Sequence, residues 1–133
     1  MKLTLQTDIA LRILITLAQE PERIRSVDDI AAHFKLSKNH LMKTAQQLAK
    51  HGYIKAIRGR SGGIKLAQDS ASIIIGNVVR DIEPDMKLAE CFQSGPKGRQ
   101  CALLPNCKLK GLLGHALVQF LDVLDNKTLA DIA

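Results

Sequence analysis

The chain has 133 residues, a formal net charge of +6, 46% hydrophobic and 24% charged residues. This length fits one domain with a modest core, and this composition excludes an intrinsically disordered chain. Polar residues interrupt the apolar residues at the N-terminus, so the sequence lacks the continuous apolar run of a signal peptide. No apolar run elsewhere reaches the length of a membrane span. A cytoplasmic protein without a membrane partner is therefore expected.

The basic residues are concentrated in one part of the chain. Between Ile30 and Gln68 there is no acidic residue. A field of one sign attracts phosphate groups, whereas a face that only keeps a protein in solution usually mixes both signs. The charge pattern favours nucleic-acid binding over a solvating surface. The basic residues in this window are Lys35, Lys38, Lys43, Lys50, Lys55, Arg58, Arg60 and Lys65.

Three helices are predicted in the first fifty residues. Apolar residues at steps of four predict a first helix over residues 3–19, which ends before Pro21. Ser26 begins a capping-box pattern, so a second helix is predicted from Val27 to Phe34. Ser37 is predicted to cap a third helix, whose apolar positions share one face. Short helices in this order are typical of DNA-binding modules.

The third helix carries candidate DNA contacts. Asn39, Lys43 and Gln46 lie opposite its apolar face on a helical wheel. Two short helices joined by about three residues, with polar donors on the second, fit a helix-turn-helix whose second helix enters the major groove. The alternative is a generic helical hairpin. For base edges we predict Asn39, His40 and Lys43, and for positions near the backbone Lys38 and Gln46.

A β-wing is predicted after the third helix. Gly52 is a helix stop, and residues 53–57 and 64–66 have the character of two strands around a glycine-rich turn. Arg58 and Arg60 in that turn are suited to a narrow minor groove. The predicted fold is therefore mainly α with a small β-wing, a winged helix-turn-helix DNA-binding domain over residues 1–67.

A connecting segment, residues 68–106, follows the winged helix. It is predicted to contain a short helix over residues 73–83 and then a cysteine loop. Cys91, Cys101 and Cys107 are separated by nine and then five residues. In a reducing compartment, an odd number of clustered cysteines argues against a disulfide framework and for metal binding, catalysis or redox sensing.

The last segment, residues 107–133, contains a long helix predicted from Lys108 to Leu124 and a short tail. Apolar residues form two strips along this helix, and one domain cannot easily cover both. A homodimer is expected, in which this is the dimerisation helix and paired half-sites on DNA are read. One strip is Leu109, Leu113, Ala116, Phe120 and Leu124, and the other is Leu112, Leu117 and Leu121.

Short stretches along the chain carry a resemblance to a known family. They include Thr7-Asp8, Ala10-Leu11-Arg12, Asn39-His40-Leu41-Met42-Lys43, Arg58-Gly59-Arg60-Ser61-Gly62-Gly63, Glu90-Cys91-Phe92 and Pro105-Asn106-Cys107-Lys108-Leu109. With winged helix, cysteine loop and long C-terminal helix in this order, the chain resembles the Rrf2 family of bacterial transcription regulators. Within that family it is most similar to the nitric-oxide-sensing repressors. The resemblance covers essentially the whole chain.

The resemblance implies a homodimeric repressor that binds double-stranded DNA at an inverted-repeat operator and responds to nitric oxide. It implies that Cys91, Cys101 and Cys107 bind an iron–sulfur cluster, with 4Fe–4S favoured over 2Fe–2S. It further implies that Asp8 of the other subunit is the fourth ligand and that Arg12 contacts this carboxylate. Thiolates suit such clusters, and a single hard carboxylate would leave one iron open to attack by a small ligand.

Departures from the family pattern leave other functions open. The spacing from Cys91 to Cys101 is longer than usual, which leaves an iron-responsive or thiol-based Rrf2 regulator as an alternative. Lys110 stands where the cluster-assembly relatives have a histidine ligand, which argues against that branch. Outside the family, a small zinc or redox metal-binding protein is the competitor, although zinc sites more often use closely paired cysteines.

An enzyme is not expected. No serine or cysteine nucleophile has a base placed by a motif, and the sequence GRSGGIK lacks the spacing of a phosphate-binding Walker loop.

Overall fold

The computed structural model describes residues 2–93, 95 and 101–133. Helices and one antiparallel pair of strands make up its regular structure, which confirms the predicted mainly α fold with a small β-wing. Within this described part, no helix is both long and apolar enough to cross a membrane. The α-helices are α1 (Leu5–Gln19), α2 (Val27–Phe34), α3 (Lys38–Lys50), α4 (Ile75–Ile82) and α5 (Lys108–Asp125), and the strands are β1 (Ile54–Ile57) and β2 (Gly63–Leu66).

Helix α1 lies at the centre of the fold. The Thr4 hydroxyl caps its first turn by accepting a hydrogen bond from the Thr7 amide at 3.4 Å. Full burial of an Ile or Leu side chain contributes roughly 1.5–3 kcal/mol to stability. The buried face of α1 packs against α3, α4 and β2, so these elements share one core. Its apolar side chains, each at most 1% exposed, are Ile9, Ala10, Ile13, Leu14 and Leu17.

Helices α2 and α3 form the predicted helix-turn-helix. The Ser26 hydroxyl caps α2 by accepting a hydrogen bond from the Asp29 amide at 3.0 Å. Lys35 has a left-handed backbone with φ of 53°, which ends α2 and turns the chain over three residues into α3. Ser37 has the extended backbone of an N-cap residue, but its hydroxyl makes no capping bond to the described chain.

Gly52 ends α3, as its sequence position predicts. It has a φ of 78°, and its amide donates to the Ala49 carbonyl at 3.1 Å. The Tyr53 amide donates to the Leu48 carbonyl at 3.0 Å, which completes a Schellman motif. Because Tyr53 belongs to this cap, β1 begins one residue later than predicted, at Ile54. The end of α3 and the wing are thereby joined without a flexible linker.

A residue outside the two strands also pairs with the wing. Arg25, which lies before α2, exchanges two backbone hydrogen bonds with Ile64 of β2, at 3.0 and 2.8 Å. A Cβ atom at Gly63 would collide with the Arg25 carbonyl, so glycine is needed for this approach. The wing is therefore braced against the entrance to α2.

Helix α4 begins at Ile75, two residues later than predicted. Ile73 and Ile74 are extended instead because they pair with the C-terminal tail. Ile74 forms a bridge with Thr128, and the Leu129 amide donates to the Ile73 carbonyl at 2.8 Å. Leu129 is fully buried in the same core as α1. The chain after α5 thus returns to the winged helix.

Polar contacts fix α4 to its neighbours. Arg80 donates two hydrogen bonds to Asp125 at the end of α5, at 2.6 and 2.5 Å. This contact holds the pKa of Asp125 below its usual value and raises the pKa of Arg80. The Tyr53 hydroxyl donates to Asp81 at 2.5 Å, and burial, together with that carboxylate, raises the pKa of Tyr53. Helix α4 therefore connects α5 with the start of the wing.

Candidate nucleic-acid interface and metal centre

Helix α3 presents a polar face to solvent. Its inner face is fixed by Leu41 and Leu48, which are fully buried. The outer side chains can therefore contact a binding partner without any rearrangement of the core. The exposed residues on this face are Lys38, Asn39, His40, Lys43 and Gln46, the residues predicted to contact DNA.

Lys38 already has a partner in the free protein. Its Nζ lies 2.7 Å from Asp28 Oδ1 at the start of α2. Both side chains are more than half exposed, so this ion pair contributes little to stability. A phosphate group can therefore compete with Asp28 for the lysine. The pair braces the first turns of α2 and α3, a role that the sequence did not predict.

The wing turn exposes both predicted arginines. Arg58 and Arg60 are exposed on either side of Gly59, which has a φ of 117°. The Gly62 amide donates to the Gly59 carbonyl at 3.0 Å, and a Cβ atom at Gly62 would collide with the Ile57 carbonyl. The glycines therefore close a tight turn that projects two guanidinium groups.

Two lysines lie opposite each other in the wing strands. Lys55 of β1 pairs in register with Lys65 of β2. Like charges at directly opposed positions destabilise a strand pair, and an anion between them would relieve that repulsion. The sequence showed these lysines only as part of a basic window, because their pairing depends on the register of the hairpin. They extend the basic surface along the wing.

The first turn of α1 lies beside α3. A cleft of about 260 Å³ separates the two elements. Sequence reasoning gave this part of α1 no place at the interface, since its apolar periodicity marks it as a core helix. The cleft brings Gln6 next to the outer face of α3. Its lining residues are Thr4, Leu5, Gln6, Ile9, His40, Lys43 and Thr44.

Asp8 and Arg12 form an ion pair on the outer face of α1. Arg12 Nη2 lies 2.8 Å from Asp8 Oδ2, and both side chains are nearly half exposed. The Arg12 guanidinium also lies over the Phe34 ring, 5.7 Å from its centroid. A cation above an aromatic face is attracted to it. Arg12 thus connects the Asp8 carboxylate with the last residue of α2.

Cys91 and Cys107 are connected through Phe92. Cys91 lies in a short 3₁₀ turn, Glu90–Phe92, and Cys107 is the N-cap of α5. The Cys107 sulfur accepts a hydrogen bond from the Lys110 amide at 3.4 Å. The Lys110 ammonium lies 5.8 Å from the centroid of the Phe92 ring. The turn that bears Cys91 therefore packs beside the first turn of α5.

The three cysteines are free thiols with chemistry that fits an iron–sulfur cluster. Cys91 and Cys107 are partly buried, and Cys101 is exposed. Among residues 2–93, 95 and 101–133, no three His, Cys, Asp or Glu side chains converge to hold a metal ion. Within these residues of one chain, Asp8 and the cysteines therefore do not form a complete site. The donors themselves, three soft thiolates and an accessible carboxylate, suit iron.

Comparison with protein families gives a match over nearly the whole chain. The Rrf2 family model, described as "Iron-dependent Transcriptional regulator", matches residues 3–133. The HTH-type transcriptional regulator NsrR of Geobacillus kaustophilus is 48% identical over 133 residues, which cover 99% of this chain and 89% of that protein. The protein of the same name from Bacillus subtilis is 46% identical, covering 99% of this chain and 90% of its own length.

Solved structures with a similar fold include one that is named as a regulator. CymR, the global cysteine regulator of B. subtilis, superposes with a TM-score of 0.79 at 26% identity and covers 100% of this chain and 96% of its own. IscR from T. potens superposes with a TM-score of 0.76 at 26% identity, covering 99% of this chain and 85% of its own. The winged helix and the long last helix therefore have the arrangement of known regulators.

Replacing Arg60 with alanine tests the wing as a DNA contact. We expect weaker binding to a duplex of mixed sequence, and a salt dependence whose slope falls by about 1, because one cation fewer neutralises the DNA. Fluorescence anisotropy at several salt concentrations measures both quantities. Lys127→Ala removes an exposed positive charge outside the wing and is the matched control. Equal slopes for Arg60→Ala and the unmodified chain would contradict the assignment.

Proposed function

The chain belongs to the Rrf2 family of transcriptional regulators and is not an enzyme, and on that premise we propose a DNA-binding repressor controlled by an iron–sulfur cluster that senses nitric oxide. Relatives above 40% identity named NsrR support this assignment. The observation that carries it is the position of Asp8 on α1, whose opposite face packs against the recognition helix α3. A regulator of this kind acts on DNA in the cytoplasm.

Three cysteines and a borrowed carboxylate are proposed to bind the cluster. Cys91, Cys101 and Cys107 come from one protomer and Asp8 from its partner, and we favour 4Fe–4S over 2Fe–2S. A bound cluster would supply one iron atom whose protein ligand is a carboxylate. Nitric oxide can displace a carboxylate from iron more readily than it displaces a thiolate.

The protein's own groups prepare these ligands. Cys107 is the N-cap residue of α5. Its sulfur already accepts the Lys110 amide. Asp8 is oriented by its ion pair with Arg12. Two of the four proposed donors, Cys107 and Asp8, therefore have a neighbouring group that orients them.

A change at Asp8 reaches α3 through close packing. If the Asp8 carboxylate were freed from the cluster, Arg12 would be its partner, and Arg12 also lies over Phe34 at the end of α2. The opposite face of α1 packs against α3 in the buried core, and tightly packed interiors transmit displacements. A shift of α1 therefore changes how both recognition helices meet the operator.

The DNA contacts follow from the exposed faces. Two copies of α3 in successive major grooves would read an inverted repeat. The wing adds minor-groove contacts, where narrow A·T-rich DNA attracts arginine. We assign base edges to Asn39, His40 and Lys43, the nearby backbone to Lys38 and Gln46, and the minor groove to Arg58 and Arg60.

A homodimer is proposed because α5 is largely uncovered in one chain. None of its residues is buried. One side of the helix packs on its own protomer, but a neighbouring stripe with heptad spacing faces outward. Such a stripe is typical of a helix that pairs with a second copy. Its members are Leu109, Leu112, Ala116, Gln119 and Val123, of which Leu112 and Val123 are 64% and 65% exposed.

A charge within this stripe tests the dimer. Leu112→Glu is expected to yield a monomer, because a carboxylate cannot be buried without a partner group. Light scattering after size-exclusion chromatography measures the mass. Val118→Glu is the matched control, since Val118 is 60% exposed but lies on another side of α5. A dimeric Leu112→Glu variant would contradict this interface.

Nitric oxide titration tests the function itself. Anaerobic protein with its cluster is titrated while the visible spectrum and the affinity for a duplex selected from a random pool are followed. We expect operator affinity to fall by a factor in the range of roughly 5–150, in step with the loss of the cluster spectrum. Cys107→Ser is expected to be colourless and insensitive to the gas.

Other outcomes of these experiments would indicate a different function. Release of DNA by iron chelation but not by nitric oxide would indicate an iron-responsive protein. A colourless protein that releases DNA on thiol oxidation would indicate a thiol sensor. Zinc without sequence-specific DNA binding would exclude a regulator.

A further inference from the structure

Glu83 has a buried carboxylate at the C-terminal end of α4. The residue is only 9% exposed. Its Oε2 atom accepts hydrogen bonds from the Thr4 amide at 2.9 Å, the Thr4 hydroxyl at 3.1 Å and the Thr7 hydroxyl at 2.6 Å. Thr7 is fully buried. Every one of these donors belongs to the beginning of α1, more than seventy residues away in sequence.

The three hydrogen-bond donors explain why the acidic side chain of Glu83 can be buried. A carboxylate without hydrogen-bond partners is costly to bury, so Glu83 depends on the three donors. The amino end of a helix also favours an anion. The carboxylate therefore acts as a second cap of α1, supplied by α4. Loss of one donor leaves the buried carboxylate with fewer hydrogen-bond partners and removes one restraint on the first turn of α1.

Glu83 joins the two parts of the chain that bear candidate metal ligands. Asp8 directly follows Thr7, and its amide donates to the Thr4 carbonyl at 3.1 Å within the same turn. On the other side, Glu83 begins the segment that runs through residues 84–90 to Cys91. The carboxylate thus connects the Asp8 turn, which is proposed to complete the partner's site, with the start of the segment that bears this chain's own Cys91.

We propose that Glu83 is a positioning residue for the two metal centres of the dimer: through Thr4 and Thr7 it holds the turn of α1 that presents Asp8 to the partner's cysteines. The inference rests on the proposed function, since it requires Asp8 to be a ligand. It assigns Glu83 no contact with iron. Its carboxylate is already occupied by donors from α1.

The cluster's resistance to a chelator tests this role. Thr7→Val keeps the shape of the side chain but removes the 2.6 Å hydrogen bond. We expect anaerobic loss of the cluster to a chelator to accelerate roughly 10-fold, as when groups behind a metal ligand are removed. Thr7→Ser keeps the hydroxyl and is expected to release the cluster at the rate of the unmodified chain. Glu83→Ala should accelerate release at least as much as Thr7→Val.

A control separates positioning from general stability. Ile82→Val truncates a buried neighbour of Glu83 in α4 without touching the hydrogen bonds. Thermal unfolding of the cluster-free variants shows how much each is destabilised. The inference is overturned if Thr7→Val releases the cluster at the unmodified rate, or if Ile82→Val accelerates release equally for the same loss of melting temperature.

The proposed function and this inference fail in different ways. If the unmodified chain takes up no cluster, the proposed function is contradicted and the inference with it. If the unmodified chain binds a cluster and releases DNA on exposure to nitric oxide, but the Thr7 variants behave alike, only the role of Glu83 is wrong.

Discussion

The central interaction of this fold is the packing of α1 against the other elements of the winged helix. Its inner face is buried against α3, α4 and β2. Its outer face exposes Asp8 and Arg12. Because an α-helix moves as a rigid unit, a displacement of its outer face also displaces its inner face. The recognition helix therefore packs on the same element that carries Asp8, the proposed metal ligand.

Several contacts limit how α1 can move. Glu83 fixes its first turn to α4, and Arg12 links its outer face to Phe34 at the end of α2. The tail adds a further restraint, since Leu129 is buried beside α1. These contacts tie α1 to α2, α4 and the tail, and its buried face packs against α3. This packing gives a physical reason for the proposed ligand exchange at Asp8 to affect the DNA-binding surface.

The sequence predicted those elements whose signal is local. Helical periodicity, the cap at Ser26 and the stop at Gly52 define the helix-turn-helix, and a polar face opposite an apolar one predicts exposed DNA-contact candidates. Contacts between distant segments had no such signal. The Arg25–Ile64 bridge and the burial of Leu129 involve single residues without a pattern, and the partners of Glu83 lie at the other end of the chain. The relative placement of the cysteines likewise depends on how Phe92 packs.

Hydrogen exchange of the cluster-loaded protein, before and after nitric oxide, tests whether the cluster and α3 are coupled through α1. We expect faster exchange of amides in the first turn of α1 and in α3 as the gas is added, together with release of the operator. If the operator is released while exchange changes only in residues 85–108 and α3 is unaltered, the coupling through α1 is contradicted.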